Sequence, residues 1–242
     1  MIVLCTDFGL AGPYTGQVKA VLARLAPQLP VVDLFADLPA FAPQLAAYLL
    51  AAYLQPFEPG DVIAAVVDPG VGGTRRALVV EADGLWLTGP DNGLFEPTLR
   101  RARAWRAWSI DVPAHGIAPT FHGRDVFAPA AARLALGDLP QGPQVEPVRF
   151  PVWPDDLPAI AYVDRYGNAM TGLRAATLAQ GTVLEVAGRR LVRRRIFADV
   201  PAGEAMWYEN ANGLAEIAVH GGSAAATFGL APGSPVAVRA RA

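Results

Sequence analysis

IVLCTDFG, residues 2–9, opens the chain with an unbroken apolar run that stops at an acid, an aromatic ring and a glycine. Nothing in IVLC alternates with polar residues, so the run predicts a strand buried on both faces, as in parallel sheets covered by helices on each side. Past the turn signals Gly9, Gly12 and Pro13, the residues Val18, Val21, Leu22 and Leu25 recur near a 3.6-residue period and predict a helix. The alternation then repeats, with a strand over residues 31–35, a helix over 43–54, a strand over 62–67 and a further strand over 77–81. Strands alternating with helices imply βαβ units and a Rossmann-like, mostly parallel sheet flanked by helices. The alanine-rich residues 129–136 predict another helix, with Pro129 in its first turn and Gly137 just past its end.

Proline and glycine crowd residues 137–158, which marks a linker and divides the chain into an α/β domain over 1–150 and a smaller domain over 151–242. Beyond it the helical pattern fades. Short strands are expected at 160–163, 183–186, 191–197, 214–219 and 236–238, with Gly188 turning a hairpin. Such spacing suggests an all-β, barrel-like domain.

The 242 residues are 52% hydrophobic and carry a formal charge of −2, which suits a folded core and gives no electrostatic reason to expect nucleic acid or an anionic membrane as partner. One cysteine, Cys5, excludes an intramolecular disulfide and fits a reducing cytoplasm. The start MIVLCTDFG has no charged n-region or cleavage site, so no secretory signal is expected. The arginines at 189, 190 and 193–195 form the one basic cluster, expected to face solvent and blunt a sheet edge.

Ligands of parallel α/β sheets gather at the carboxyl ends of the strands. Three acid-bearing turns, TDFG (Asp7), VDPG (Asp68) and PDNG (Asp91), fall at such ends. Asp before Gly or Pro makes a turn on its own account, yet three carboxylates at equivalent ends would converge on one crevice. The first turn lacks GxGxxG and DPGVGG lacks GK[ST], so neither a dinucleotide fingerprint nor a P-loop is present. Arg75 and Arg76 follow DPGVGG, and either one could reach back to Asp68 or lie on the surface.

TFHGRDVFAPAA, residues 120–131, holds one of only three histidines. His122 suits proton transfer near neutrality. No HxH, HExxH or GxSxG occurs, which disfavours a metal centre or a serine hydrolase. Asp125 reads as a helix N-cap, with Arg124 shaping the same loop. DRYGN, residues 164–168, follows an apolar strand as a turn or a binding loop.

Together these motifs resemble the S-adenosylmethionine hydroxide adenosyltransferases, relatives of the fluorinase and chlorinase enzymes. The matching pieces run in order along nearly the whole chain: TDFG with Tyr14, Gly16 and Lys19, then VVDPGVGGTRR, GPDNGLF, TFHGRDVFAPAAA, YVDRYGN and GLAEIA. The resemblance implies hydrolysis of S-adenosylmethionine to adenosine and L-methionine, with no cofactor and no metal. It implies an N-terminal α/β domain, a C-terminal β-barrel and a homotrimer with its sites between subunits. It places the catalytic trio on Asp68, Arg75 and His122, choosing Arg75 over Arg76 by its spacing from the aspartate. Asp7 matches a carboxylate that grips the ribose, and Asp164 and Asn168 match contacts to the methionine part and the adenine. Tyr166 and Phe197 match rings flanking the adenine, while Phe8, Tyr14, Phe41 and Asn210 complete the implied substrate contacts, with Phe8, Phe41 and Phe121 keeping the pocket dry. This chain departs from the family pattern at Gly12, Ala36 and Ala211. A halogenase of the same superfamily is the nearest alternative, but halide-using relatives carry a serine where Gly123 stands, which favours water; a non-catalytic sensor of S-adenosylmethionine is another alternative, and a metal-dependent hydrolase a third.

Overall fold

In a computed structural model the chain is described over residues 1–240 and divides into two compact units, Met1–Phe150 and Pro151–Ala242. The first unit contains, in order, β1 (Ile2–Thr6), α1 (Tyr14–Leu25), β2 (Val31–Phe35), α2 (Pro43–Tyr53), β3 (Val62–Val66), β4 (Ala77–Ala82), β5 (Leu85–Pro90), α3 (Glu96–Arg101), β6 (Trp105–Ile110) and α4 (Ala128–Ala135). Its six strands form one sheet in the order β2-β1-β3-β5-β4-β6. The opening run behaves as its composition requires, because β1 and β3 are buried along their whole length and pair in parallel. Ile2, Leu4, Val62 and Ala64 pack with Val18 and Leu22 of α1 and with Ala128, Ala131 and Ala132 of α4. Val3 and Cys5 point the opposite way and are equally buried, so both faces of the strand are covered.

The expected strand at 77–81 exists, but it runs antiparallel to both β5 and β6. The cause is local. Asp83 and Gly84 have φ of 49° and 89°, the mirror-image turn that reverses a strand within two residues, and a link this short cannot make a parallel crossover. The sheet is mostly parallel, with β4 reversed. β5, α3 and β6 carry no clean period in the sequence and emerge only in the fold.

The Pro/Gly-rich stretch is not a free linker along its first half. Ser109 N–H donates to the Pro143 carbonyl at 3.0 Å and Val145 N–H to the Ala107 carbonyl at 2.9 Å, so it zips along the edge of β6. Its end is tied down by a buried acid. Glu96, 2% exposed, accepts from Arg149 at 2.8 and 3.1 Å and from Arg100 Nε at 2.7 Å, while Arg100 also donates to the Phe150 carbonyl at 2.6 Å.

The second unit contains β7 (Leu157–Val163), β8 (Ala169–Arg174), β9 (Val183–Val186), β10 (Arg189–Val192), β11 (Ala205–Glu209), β12 (Leu214–Val219), α5 (Ala224–Phe228) and β13 (Ala237–Arg239). They form a four-stranded antiparallel sheet, β11-β12-β8-β7, and a three-stranded one, β10-β9-β13. Single bridges pair Ala159 of β7 with Pro235, just before β13, and Trp207 of β11 with Arg193, just after β10. Trp207, Ile217, Ile160, Leu184 and Leu191 centre the core between them. Ala187 and Gly188 make the expected hairpin with φ of 46° and 73°. The strand expected over 191–197 stops at Val192, and residues 197–199 form a 3-10 turn instead. β10 is a sheet edge on which Arg189 and Arg190 are exposed and Leu191 is buried.

Burial alone would raise the carboxyl pKa of Glu96, but the Arg149 and Arg100 hydrogen bonds outweigh it and hold it below the ordinary 4.5. A lowered folded-state pKa contributes stability that is present above the unfolded value and is lost as pH falls through the folded one. Glu96→Gln is therefore expected to cost about 1–3 kcal/mol at pH 7, with the gap to wild type closing as urea titrations move below pH 4.5.

Candidate active site

The sheet order puts β2 on one side of β1 and β3 on the other, so a crevice opens at the carboxyl ends of β1 and β3. Asp7 leaves the first of these strands and Asp68 the second. Both line a cavity of about 510 Å³ with Phe8, Tyr14, Phe41, Phe121 and His122. Asp91 does not join them, contrary to the expectation of three convergent carboxylates. It accepts from Arg76 Nε at 2.8 Å and from the Val148 backbone at 2.8 Å, so it fastens the chain after β6. Asn92 of the same turn donates to the Val67 carbonyl at 2.9 Å and braces the end of β3 beside Asp68.

Arg75 links the two halves of the site. Its Nε donates to Asp68 Oδ1 at 3.0 Å, its Nη2 donates to Asp68 Oδ2, and the same Nη2 lies 3.0 Å from His122 Nδ1. The Asp68 and Arg75 side chains are only 4% and 10% exposed, and His122 is buried. Arg75 also stands over the Phe127 ring at 5.3 Å. A guanidinium only donates, so Nδ1 must accept and the ring is neutral with its proton on Nε2. Desolvation first, and the Arg75 charge second, hold the His122 pKa below 6.5, which agrees with that tautomer. Of the two arginines that the sequence left open, Arg75 meets Asp68 and Arg76 meets Asp91.

Local structure explains how residues so distant in sequence meet. Gly72, at φ of 76°, lets the DPGVGG loop lie so close to the Pro119 carbonyl that a Cβ would sit 2.4 Å from its oxygen. That contact presses the loop bearing Asp68 and Arg75 against the segment bearing His122. Residues 123–127 then form a wide π-turn before α4, a feature that recurs at functional sites. Asp125 is not a helix cap. It accepts from Arg124 at 2.6 and 2.8 Å and from the Ala118 backbone at 2.8 Å, closing the loop ahead of His122.

Phe8, Tyr14 and Phe121 stack edge-on and tilted, with centroids 5.3–6.3 Å apart. Phe41 instead stands exposed in a left-handed conformation, φ of 59°, strained for a bulky residue, and its N–H reaches Asp7 Oδ2 at 3.5 Å. Burial raises the Asp7 pKa, backbone N–H groups partly oppose it, and the Asp68 charge adds to the rise.

In the second unit Asp164, Tyr166, Asn168 and Phe197 line one cavity of about 610 Å³. Asp164 Oδ1 accepts the Tyr166 and Asn168 N–H groups at 2.9 and 2.8 Å, and its Oδ2 accepts Asn168 Nδ2 at 3.0 Å. Asn210 stands apart from this set. Its amide donates to Glu216 at 2.9 Å and accepts two backbone N–H groups at 3.0 Å, which makes it a brace of its own turn. Tyr208 and Glu216, absent from the sequence-derived set, line the cavity as well. The signal for Glu216 was its place as the one charge within the apolar strand LAEIAV. Among the described residues no group of three or more His, Cys, Asp or Glu is placed to hold a metal ion, and no helix is long and apolar enough to cross a membrane.

Models of two domains match the chain, the SAM hydroxide adenosyltransferase N-terminal domain over residues 2–142 and its C-terminal domain over residues 158–237. The chain belongs to the SAM hydroxide adenosyltransferase family. Within it, the chain is 45% identical to a Thermus thermophilus protein named (R)-S-adenosyl-L-methionine hydrolase, the match covering 97% of this chain and 98% of that one. It is 39% identical to a Salinispora arenicola protein of the same name, over 99% and 97% of the two chains. Two solved structures share the fold. An uncharacterized conserved protein from Thermotoga maritima superposes with a TM-score of 0.88 at 27% identity, covering 99% of this chain and all (100%) of that one. A conserved hypothetical protein from Thermus thermophilus gives 0.77 at 41% identity, covering 98% and 99%.

Gly123, beside His122, also leaves no room for a side chain. A Cβ there would lie 2.6 Å from Phe8 Cζ, a ring already packed on Phe121. Gly123→Ala is expected to displace Phe8 and cost about 1–3 kcal/mol by overpacking, read by urea denaturation against wild type.

Proposed function

We propose that this protein hydrolyses S-adenosyl-L-methionine to adenosine and L-methionine by attack of water on the ribose 5′ carbon. The observation that carries the proposal is the Arg75-centred trio, in which one guanidinium joins a buried carboxylate to a neutral histidine in the cavity that also holds Asp7. The C5′–O bond forms as the C5′–S bond breaks. The electron pair goes to sulfur, and one proton of the water is released. The leaving thioether is neutral and needs neither a general acid nor a metal, so no cofactor is required. Catalysis then rests on placing the oxygen about 3–3.5 Å from carbon, in line with sulfur, and on a dry cavity, because charge is destroyed as hydroxide meets a sulfonium.

The hydrogen bonding divides the work within the trio. With Nδ1 engaged by Arg75, His122 presents an N–H at Nε2 and acts as a donor to the attacking oxygen. Asp68 keeps a lone pair on each oxygen beyond those that Arg75 uses, and it accepts the water's proton. A halide would have no proton to give, so this acceptor favours water over the halogenase reading. Asp7 holds the ribose hydroxyls. Phe8 and Tyr14 wall the sugar, with Phe41 at the rim, while Asp164, Tyr166, Asn168 and Phe197 take the adenine and the methionine part.

The names of the relatives point to the (R) configuration at sulfur, and we take the (R) epimer as the preferred substrate. The protein works in the cytoplasm as a homotrimer with sites between subunits, and contact with a partner covers the exposed Tyr14 and Phe41 of the cavity. The two sheets of the second unit close as a barrel. Nucleic acid and membrane are not partners.

Incubation of each sulfonium epimer in ¹⁸O-water should place the label in the 5′ oxygen of adenosine. Halogenated adenosine formed with chloride or fluoride, or no adenosine from either epimer, would sink the proposal. Asp68→Ala should lower kcat about 10²–10⁴-fold as a lost proton acceptor, and His122→Ala about 10²–10³-fold as a lost donor to the developing charge. Because the His122 pKa lies below 6.5 and the neutral ring is the working form, kcat/KM should hold level down to pH 6.5 and fall only in more acid solution.

A further inference from the structure

Glu216 lies in the middle of β12, a strand buried at every position, where an apolar side chain would cost nothing to desolvate. It is 3% exposed and still reaches the cavity of the second unit. Its register places it directly opposite Tyr208 of β11, so the two side chains share one face of the sheet. Tyr208 OH donates to Glu216 Oε1, and Asn210 Nδ2 donates to Oε2 at 2.9 Å. Each partner is tied to a different element. The Tyr208 ring packs on Phe197 with centroids 5.2 Å apart. Asn210 Oδ1 accepts the N–H groups of Asn212 and Leu214 at 3.0 Å and so shapes the turn over residues 210–213.

We infer that Glu216 is a positioning residue for substrate binding, which sets the Phe197 ring through Tyr208 and the 210–213 turn through Asn210. The inference rests on the reading that Phe197 flanks the adenine. Glu216 itself touches no reacting atom, so its loss weakens binding and leaves the trio of the first unit intact. Burial raises its pKa while the two hydrogen bonds oppose that rise, and the Asp164 charge adds to it. The positioning is geometric and does not depend on the charge, because a glutamine can accept from Asn210 and donate to the Tyr208 oxygen.

Kinetics on the preferred epimer, together with crystal structures, test this. Glu216→Ala should raise KM about tenfold or more for two lost buried hydrogen bonds, with kcat within about threefold of wild type. Glu216→Gln should bring KM back to within about threefold of wild type. Tyr208→Phe, which keeps the ring and removes only the hydroxyl, should raise KM and spare kcat, and it carries the test if the alanine variant does not fold. An alanine variant with wild-type KM, a fall in kcat at constant KM, or a glutamine variant as impaired as the alanine one would overturn the inference. If wild type turns over neither epimer, the proposed function has failed instead. The crystal structures still decide the matter of Glu216, since the Tyr208 and Phe197 rings should shift in the alanine variant and stay in place in the glutamine one, and unshifted rings in both would reject it.

Discussion

The site depends on one guanidinium. Arg75 neutralises a carboxylate that would otherwise be costly to bury, and the same group takes the lone pair of His122. Removing it would leave Asp68 unpaired in a desolvated pocket and release the histidine to either tautomer. Its planar fork matters as much as its charge, because Nε and Nη2 meet the two oxygens of one carboxylate while Nη2 also faces the ring, a geometry that a lysine cannot reproduce. The Phe127 ring beneath it and the glycine-rich loop behind it serve to keep that fork in place.

The rest of the first unit can be understood as what holds this contact still. β1 and β3 are central, parallel and buried along their length, so their carboxyl ends are fixed points from which Asp7 and Asp68 project. Asn92 braces the end of β3, Asp91 and Arg76 lock the neighbouring turn, and Asp125 closes the loop that leads into His122. Several acids and arginines that look reactive in the sequence are thus structural, each spending its hydrogen bonds on backbone or on one fixed partner. Asp7 differs, with a pKa raised by burial and only backbone N–H groups as hydrogen-bond donors, the Phe41 one at 3.5 Å.

Strong, local signals were legible. Continuous apolar runs identified the buried strands β1 and β3, a proline and a glycine bracketed α4, and Ala187-Gly188 marked a hairpin. Weak periodicity hid β5, α3 and β6, because those elements draw their stability from the sheet they complete. The expected mostly parallel sheet holds, and the direction of β4 within it is set by a two-residue turn that the alternation of strands and helices does not reveal. Asn210 was taken for a ligand contact, and only the fold shows its amide committed to Glu216 and to its own turn.

The order of residues along the chain sets the chemistry available: which strands are buried, which turns carry acids, and a set of motifs whose order marks the family. Those features depend on residues close in the chain, where composition and spacing suffice. Which charges meet is settled by the folded chain. Arg75 and Arg76 are neighbours with the same side chain, yet one faces Asp68 and His122 and the other Asp91, because adjacent residues leave the backbone in different directions. The proton position on His122 is likewise a property of a contact between residues 47 apart in the chain.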